Sequence, residues 1–254
     1  MVFKIKSMNR AVAIIPARLE SSRLPNKALA DILGMPMIVH VYKRCLLAKS
    51  LDEVYVATDN NKIKKVVEHY GGKVIMTSSK HETGTDRIAE ASQAIEADII
   101  VNVQGDEALL NPNYIDKAIF ALHDNPDINI SILVNPFDKR NSPSDIKVIL
   151  NERNEIMYLS REDIPSYTRN NDHKMLKAYH IVPFRKSFLL EYSKWKKSYL
   201  ERVEFNEYLR ILEKGYKIKA VHVESDAVSV DTPEDLEHVI KKMNTDEFFH
   251  LYRS

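Results

Sequence analysis

From residue 10 onward, short β-branched apolar runs alternate with longer segments whose apolar residues recur three and four positions apart. That alternation predicts parallel strands joined by crossover helices, with helices on both faces of the sheet. Residues 11–15 read as a buried strand, and Met37, Ile38, Val41 and Cys45 fall on one helical face. Residues 53–57 form a second strand, and 60–70 a helix stopped by Gly71-Gly72. A third strand follows at 73–76, a helix at 85–96, and a continuous apolar strand, buried on both faces, at 98–103. Between about 125 and 185 the runs at 129–134, 147–150, 156–160 and 178–182 lose their crossover helices, which predicts an antiparallel insertion. Residues 199–213 read as one long amphipathic helix, and Thr232-Pro233-Glu234-Asp235 opens the last helix with Thr as its cap. The fold class expected is α/β, a doubly wound, mostly parallel, Rossmann-like sheet with a small antiparallel insertion. With no repeat and no low-complexity linker to divide it, the chain of 254 residues is expected to be one domain.

In such a sheet, ligands bind beyond the carboxyl ends of the strands, where the strand order switches. The segment from Arg18 to Lys27 follows the first strand and packs Arg18, Arg23 and Lys27 with Ser21 and Ser22 into ten residues. Arg forks, a Lys point charge and backbone N–H groups together can surround a triphosphate. A solvated basic loop is the other reading. Gln104-Gly105-Asp106-Glu107 ends a buried strand, and Asp231 follows an expected strand at 227–230. Two carboxylates meeting at a sheet edge would hold Mg²⁺ through hard oxygens, water and substrate phosphates completing the shell. Taken alone, Asp231 reads equally as a carboxylate balancing a helix dipole, and Asp106 as a turn residue. Thr85 reads as a helix cap, His180 as a satisfied histidine, Arg161 as a surface cation, and Glu204, Glu207 and Arg210 as an ion-pair face.

Composition narrows the classes. Lys and Arg number 37 against 36 Asp and Glu, so the net charge of +1 supplies no global field for nucleic acid or anionic lipid. Trp195 among Lys194, Lys196 and Lys197 is too thin a pattern for a stacking platform. Cys45 is the sole cysteine, which excludes an internal disulfide and any zinc site with two thiolates, and indicates a reducing, cytoplasmic compartment. Pro16 and Arg18 interrupt the first apolar run well short of the roughly 20 residues of a membrane span. Six glycines, spaced as they are, give neither a dinucleotide fingerprint nor a P-loop.

Six ordered motifs change the odds on these residues. They are Ile14-Ile-Pro-Ala-Arg18 with Ser21-Ser-Arg-Leu-Pro-Asn-Lys27, Gly34-Met-Pro-Met-Ile38, Val56-Ala-Thr-Asp59, Thr83-Gly-Thr-Asp-Arg87, Val103-Gln-Gly-Asp-Glu107 and Val230-Asp-Thr-Pro-Glu-Asp-Leu236. Together they resemble the 3-deoxy-manno-octulosonate (Kdo) cytidylyltransferases, the CMP-Kdo synthetase family, from about Arg10 to Met243, and more distantly the sialic-acid cytidylyltransferases. The resemblance implies a nucleotide-diphospho-sugar transferase-like fold and transfer of CMP from CTP to a sugar acid, with loss of pyrophosphate. The product would feed lipopolysaccharide or capsule synthesis. By the same resemblance Arg18 and Lys27 hold the CTP phosphates, supported by Ser21, Ser22 and Arg23, while Thr85 and Arg87 lie near the cytidine. Asp106 and Asp231 bind Mg²⁺, and Gln104, Arg161, His180, Glu207 and Tyr208 meet the acceptor. A homodimer built on the inserted strands and the following helix is implied too, and residues 1–8 precede the family's usual start.

The departures from the family pattern concentrate on the acceptor. Val182-Pro183-Phe184 stands where the family carries Gly-Ile-Tyr, and Tyr208 stands where it carries Gln. Asn26 and Ala28 replace a glycine and a proline, and Ala108 replaces a proline. A pocket rebuilt in this way can select a different hydroxyl pattern. The acceptor is therefore expected to be Kdo, another ulosonic acid, or a small phosphonate or phosphate. A catalytically silent nucleotide-binding protein is disfavoured by the retained aspartates.

Overall fold

The computed structural model describes residues 9–21, 23–169, 172–225 and 228–253. Strand β1 (Ala11–Ala17) is followed by a small hairpin, β2 (Asp31–Ile32) and β3 (Met35–Pro36), and by helix α1 (Met37–Cys45). Then come β4 (Glu53–Thr58), α2 (Asn61–His69), β5 (Val74–Met76), α3 (Gly84–Ser92), β6 (Ile99–Val103) and α4 (Pro112–Asp124). A second region holds β7 (Ser131–Phe137), β8 (Lys147–Leu150), β9 (Ile156–Ser160) and β10 (Met175–Tyr179). The chain continues through β11 (Ile181–Arg185), α5 (Lys186–Tyr192), α6 (Tyr199–Glu204), α7 (Leu209–Glu213), β12 (Lys219–His222) and α8 (Pro233–Met243).

The first sheet has the order β11-β6-β1-β4-β5, parallel throughout except for β11 at its edge. Its order runs outward from β1 through β4 to β5 and then restarts on the other side at β6. The switch point therefore lies between the carboxyl ends of β1 and β6, and the two polar loops singled out above leave from there. Strand alternation explains why both faces are dry: Ala11, Ala13 and Ile15 join one core with α1, α4 and α8, while Val12 and Ile14 join another with α3 and α5. The second sheet, β12-β7-β10-β8-β9, is antiparallel except where β7 meets β12.

Five expectations need correction. The insertion reaches His222 rather than ending near 185, because β12 adds to β7 after the intervening helices. The strand expected at 178–182 is two strands in two different sheets, β10 and β11, broken at His180. The single helix expected at 199–213 is α6 and α7, because Phe205 caps α6 in the left-handed region at φ 50° and stops it. Residues 228–230 are not a strand, and residue 227 lies outside the described residues. The strand at 98–103 is also not wholly apolar, since Asn102 sits fully buried within it.

Candidate active site

Lys27 opens a single 3₁₀ turn at the end of the loop after β1, entered through Asn26 in the left-handed conformation at φ 55°. Asparagine is among the few non-glycine residues that tolerate this backbone, so the replacement of glycine here keeps the turn. From that turn the Lys27 Nζ donates to Asp106 Oδ2 at 2.6 Å and to Asp231 Oδ1 at 2.9 Å. The Arg23 guanidinium lies 3.0 Å from the same Asp231 oxygen. Burial lowers the Lys27 pKa, but Asp106 and Asp231 outweigh it and the net direction is upward, so this ammonium stays charged.

The aspartates are aimed by their surroundings. A Cβ on Gly105 would stand 3.2 Å from the Pro16 carbonyl oxygen and 3.3 Å from Ile38, so glycine lets the turn carrying Asp106 pack onto the end of β1. Across from it, the Val230 N–H donates to the Asp106 carbonyl at 3.1 Å, which brings Asp231 alongside. The Asp231 and Thr232 N–H groups both donate to Asp235 Oδ2 in the first turn of α8; Thr232 is the cap expected from the sequence, and it forms a capping box with Asp235.

Around this cluster lies a cavity of about 290 Å³. Arg18, Ser21, Arg23 and Lys27 wall one side and Gln104, Asp106 and Asp231 another. Ser22 lies outside the described residues. His81, Glu82 and Thr83 ahead of α3, with Gly84 at its start, close the cavity, a wall only partly expected from the sequence. Arg87 borders it but is buried, its guanidinium donating to Thr77 Oγ1 at 2.7 Å and paired with Asp59 at 3.2 Å. Thr85 is not the cap: Thr83 is, in a capping box with Asp86, while Thr85 turns inward and donates to Glu207 Oε1 at 2.6 Å. That bond removes Glu207 from the expected ion-pair face. Glu204 instead accepts from Tyr158, Ser160 and the Arg161 N–H, and Arg210 pairs with Glu201.

Of the five residues assigned to the acceptor, only Gln104 lines this cavity. Its side-chain amide donates to Asn102 Oδ1 at 3.3 Å, Asn102 donates to Thr85 Oγ1 at 3.5 Å, and Thr85 donates to Glu207. A chain of polar side chains therefore runs from the cavity wall to Glu207. Tyr208 is buried beside it, its ring stacked on that of His180 at 6.1 Å and 22°. Burial raises the carboxyl of Glu207 and the phenol of Tyr208, and it lowers the imidazole of His180, so this region favours neutral forms. Arg161 stands apart from them. Its Nε, Nη1 and Nη2 donate to the carbonyls of Glu204, Pro143 and Phe205 at 3.0, 2.7 and 3.1 Å, which ties the end of β9 to the break after α6. Asn102 and Ser229 were not singled out from sequence, and Glu107 only as the end of the Gln104–Glu107 stretch; a polar residue inside a buried apolar strand was the available sign for Asn102.

Among the described residues no three His, Cys, Asp or Glu side chains converge as a ready metal cage. What the structure does show is two carboxylates already sharing one positive charge, that of Lys27. Two hard oxygen donors open to a cavity suit a divalent ion that takes its remaining ligands from water and phosphate. No helix among the described residues is long and apolar enough to cross a membrane.

A mostly parallel sheet with a cavity at its switch point lined by both cations and carboxylates is a nucleotidyltransferase-like α/β arrangement. The chain belongs to the cytidylyltransferase family, whose profile, described as Cytidylyltransferase, matches residues 12–218. The 3-deoxy-manno-octulosonate cytidylyltransferase of Geobacter sulfurreducens is 42% identical over 245 residues, 91% of this chain and 98% of its own. The enzyme of that name from Escherichia coli is 40% identical over 235 residues, covering 91% and 95%. A solved structure of CMP:2-keto-3-deoxy-manno-octonic acid synthetase complexed with CTP matches with a TM-score of 0.90 at 39% identity, covering 93% of this chain and 99% of that one. The 4-diphosphocytidyl-2C-methyl-D-erythritol synthase of Anaerococcus prevotii, at 16% identity and a TM-score of 0.64, shares the fold.

Proposed function

We propose that this protein transfers CMP from CTP to 3-deoxy-manno-octulosonate or a close ulosonic acid. The anomeric hydroxyl oxygen bonds to the α-phosphorus as the bond to the pyrophosphate oxygen breaks, and the hydroxyl proton is released to solvent. The observation that carries this reading is the convergence of Asp106 and Asp231 on Lys27 inside the cavity that Arg18, Ser21 and Arg23 line. Arg18, Ser21, Arg23 and Lys27 bind the triphosphate, and their fixed charges meet the negative charge that develops on the departing pyrophosphate. Asp106 and Asp231 are the residues that would hold Mg²⁺, whose charge neutralises phosphate oxygens when it is bound. Lys27 balances both carboxylates in the ligand-free protein and serves the phosphates when CTP arrives. Relatives at about 40% identity that carry the Kdo cytidylyltransferase name support the acceptor class.

The assay is pyrophosphate release from CTP and Mg²⁺ with a panel of acids: Kdo, other ulosonic acids, and small phosphonates and phosphates. Kdo or a near analogue is expected to turn over fastest, and Asp106→Asn or Asp231→Asn is expected to lower kcat at least 100-fold with the fold intact. Faster turnover of a phosphonate at equal concentration would reassign the acceptor, and near-normal activity in either variant would take that aspartate out of the reading.

A homodimer belongs to the same proposal. Met157 on β9, an edge strand of the second sheet, and Tyr199, Val203 and Phe205 around α6 are large, exposed apolar side chains in the region next to the second sheet. Glu204 joins these two elements through its bonds from Tyr158 and Ser160.

A further inference from the structure

Asp231 sits on a segment with no strand to aim it, so its position depends on side contacts. On the α8 side, Asp235 holds the N–H groups of Asp231 and Thr232. On the opposite side there are two contacts. The Val230 N–H reaches the Asp106 carbonyl, and the Ser229 Oγ donates to Glu107 Oε1. The residues flanking one aspartate are thus bonded to the other aspartate's own turn, 230 to 106 through the backbone and 229 to 107 through side chains.

Glu107 is only 2% exposed and does not line the cavity, so it is placed to touch neither CTP nor acceptor. Burying a carboxylate without a cation beside it costs several kcal/mol, and no salt bridge to Glu107 is formed among the described residues. Its surroundings are Ser229, the turn that carries Asp106, Tyr179, which directly precedes His180, and the Lys177 ammonium, whose charge acts on it while its ion pair is made with Asp145. A costly buried acid bonded to the Asp231 segment calls for a role that core packing does not supply.

We propose that Glu107 is a positioning residue which, through Ser229, sets the spacing between Asp106 and Asp231 for the divalent ion they share. This rests on the reading of those aspartates as cation ligands. Removing the clamp should loosen ion binding while leaving CTP contacts from the Arg18–Lys27 loop in place.

The test uses Mn²⁺ as the probe, its binding to the protein with CTP present followed by electron paramagnetic resonance of the free ion. Ser229→Ala and Glu107→Ala are each expected to weaken Mn²⁺ binding about tenfold and to lower kcat, with KM for CTP changed less than about threefold, as expected of groups that hold a metal ligand's segment in place without touching the ion. The double variant is expected to be no worse than the worse single one, since both remove the same bond. Glu107→Gln keeps an oxygen that can accept from Ser229 and is expected to stay within about threefold of the parent. Unchanged Mn²⁺ binding in Ser229→Ala, or additive losses in the double variant, overturns the clamp. Asp231→Asn is the control that separates the two readings. Loss of Mn²⁺ binding there, with full binding in Ser229→Ala, sinks the clamp alone; full binding in Asp231→Asn sinks the ligand assignment and the clamp with it.

Discussion

Burial, with the charge of Asp106 beside it, drives the carboxyl of Glu107 up to about 7 from an ordinary 4.5. A carboxyl raised in this way makes the folded protein bind more protons than the unfolded chain between those two values. Its contribution to stability is full below about pH 4.5 and is lost as the pH climbs through 7. The separation corresponds to on the order of 3 kcal/mol. In urea unfolding of the CTP-free, metal-free protein, Glu107→Gln is expected to flatten the decline in stability between pH 5 and pH 8 and to exceed the parent at pH 8. Parallel pH curves for the two proteins would show that Glu107 is ionised without penalty. At this scale the sequence displayed residue types but not partners. Arg18 and Asp106 stood out because they follow buried strands, and Lys27 because it shares the loop with Arg18; Asp231 stood out after an expected strand at 227–230, whose described residues 228–230 form no strand. Thr85 and Glu207, 122 positions apart, had no pattern that could announce their bond. Arg161 could not be known to spend its guanidinium on three carbonyls.

The elements that were legible are those whose period burial enforces, on both faces for β1 and β4 and along one face for α2, which ends where Gly71 takes φ 76°. Those that were misread fail for local reasons. Apolar periodicity runs on through 199–213, yet Phe205 occupies the left-handed region, an arrangement costing a non-glycine residue roughly 1 kcal/mol or more. The strand pattern at 178–182 likewise ran past a break, because residues on both sides of His180 are buried in two different sheets. Phe205 pairs that backbone with a ring 79% exposed, beside exposed Val203 and Tyr199. In the proposed homodimer this ring is an interface anchor, and anchors of this kind are worth about 2 kcal/mol or more. Phe205→Asp is therefore expected to weaken self-association about 30-fold or more, read as a shift toward monomer mass in sedimentation equilibrium. A parent protein that sediments as a monomer, or a variant that associates as tightly as the parent, would discard that interface.

At the scale of the whole molecule, the question is how distant parts of the chain are fastened around the sheet, and here the charge pattern was silent. Arg44 of α1 is fully buried. Its guanidinium donates to the Leu110 carbonyl at 2.9 Å, to the Tyr252 hydroxyl at 3.1 Å and to Asp246, and His40 one turn earlier also contacts the Tyr252 hydroxyl. One side chain thus joins α1, the approach to α4, and the segment after α8, which closes over the core face of the first sheet. Removing one partner of a buried pair leaves the rest desolvated, a loss of about 3–5 kcal/mol, large against a typical total of about 5–15 kcal/mol. Asp246 retains some exposure, 18% at its side chain, which pulls the expectation toward the lower end. Arg44→Met is expected to lower the urea unfolding free energy by about 3 kcal/mol. Because the cluster lies outside the cavity lining, KM for CTP should be unaffected in the protein that remains folded. Adding Asp246→Leu removes the stranded carboxylate and should recover part of the loss. If Arg44→Met costs less than about 1 kcal/mol, the end of the chain is held by the apolar contacts of Phe249 and Tyr252 and the charge pair is incidental.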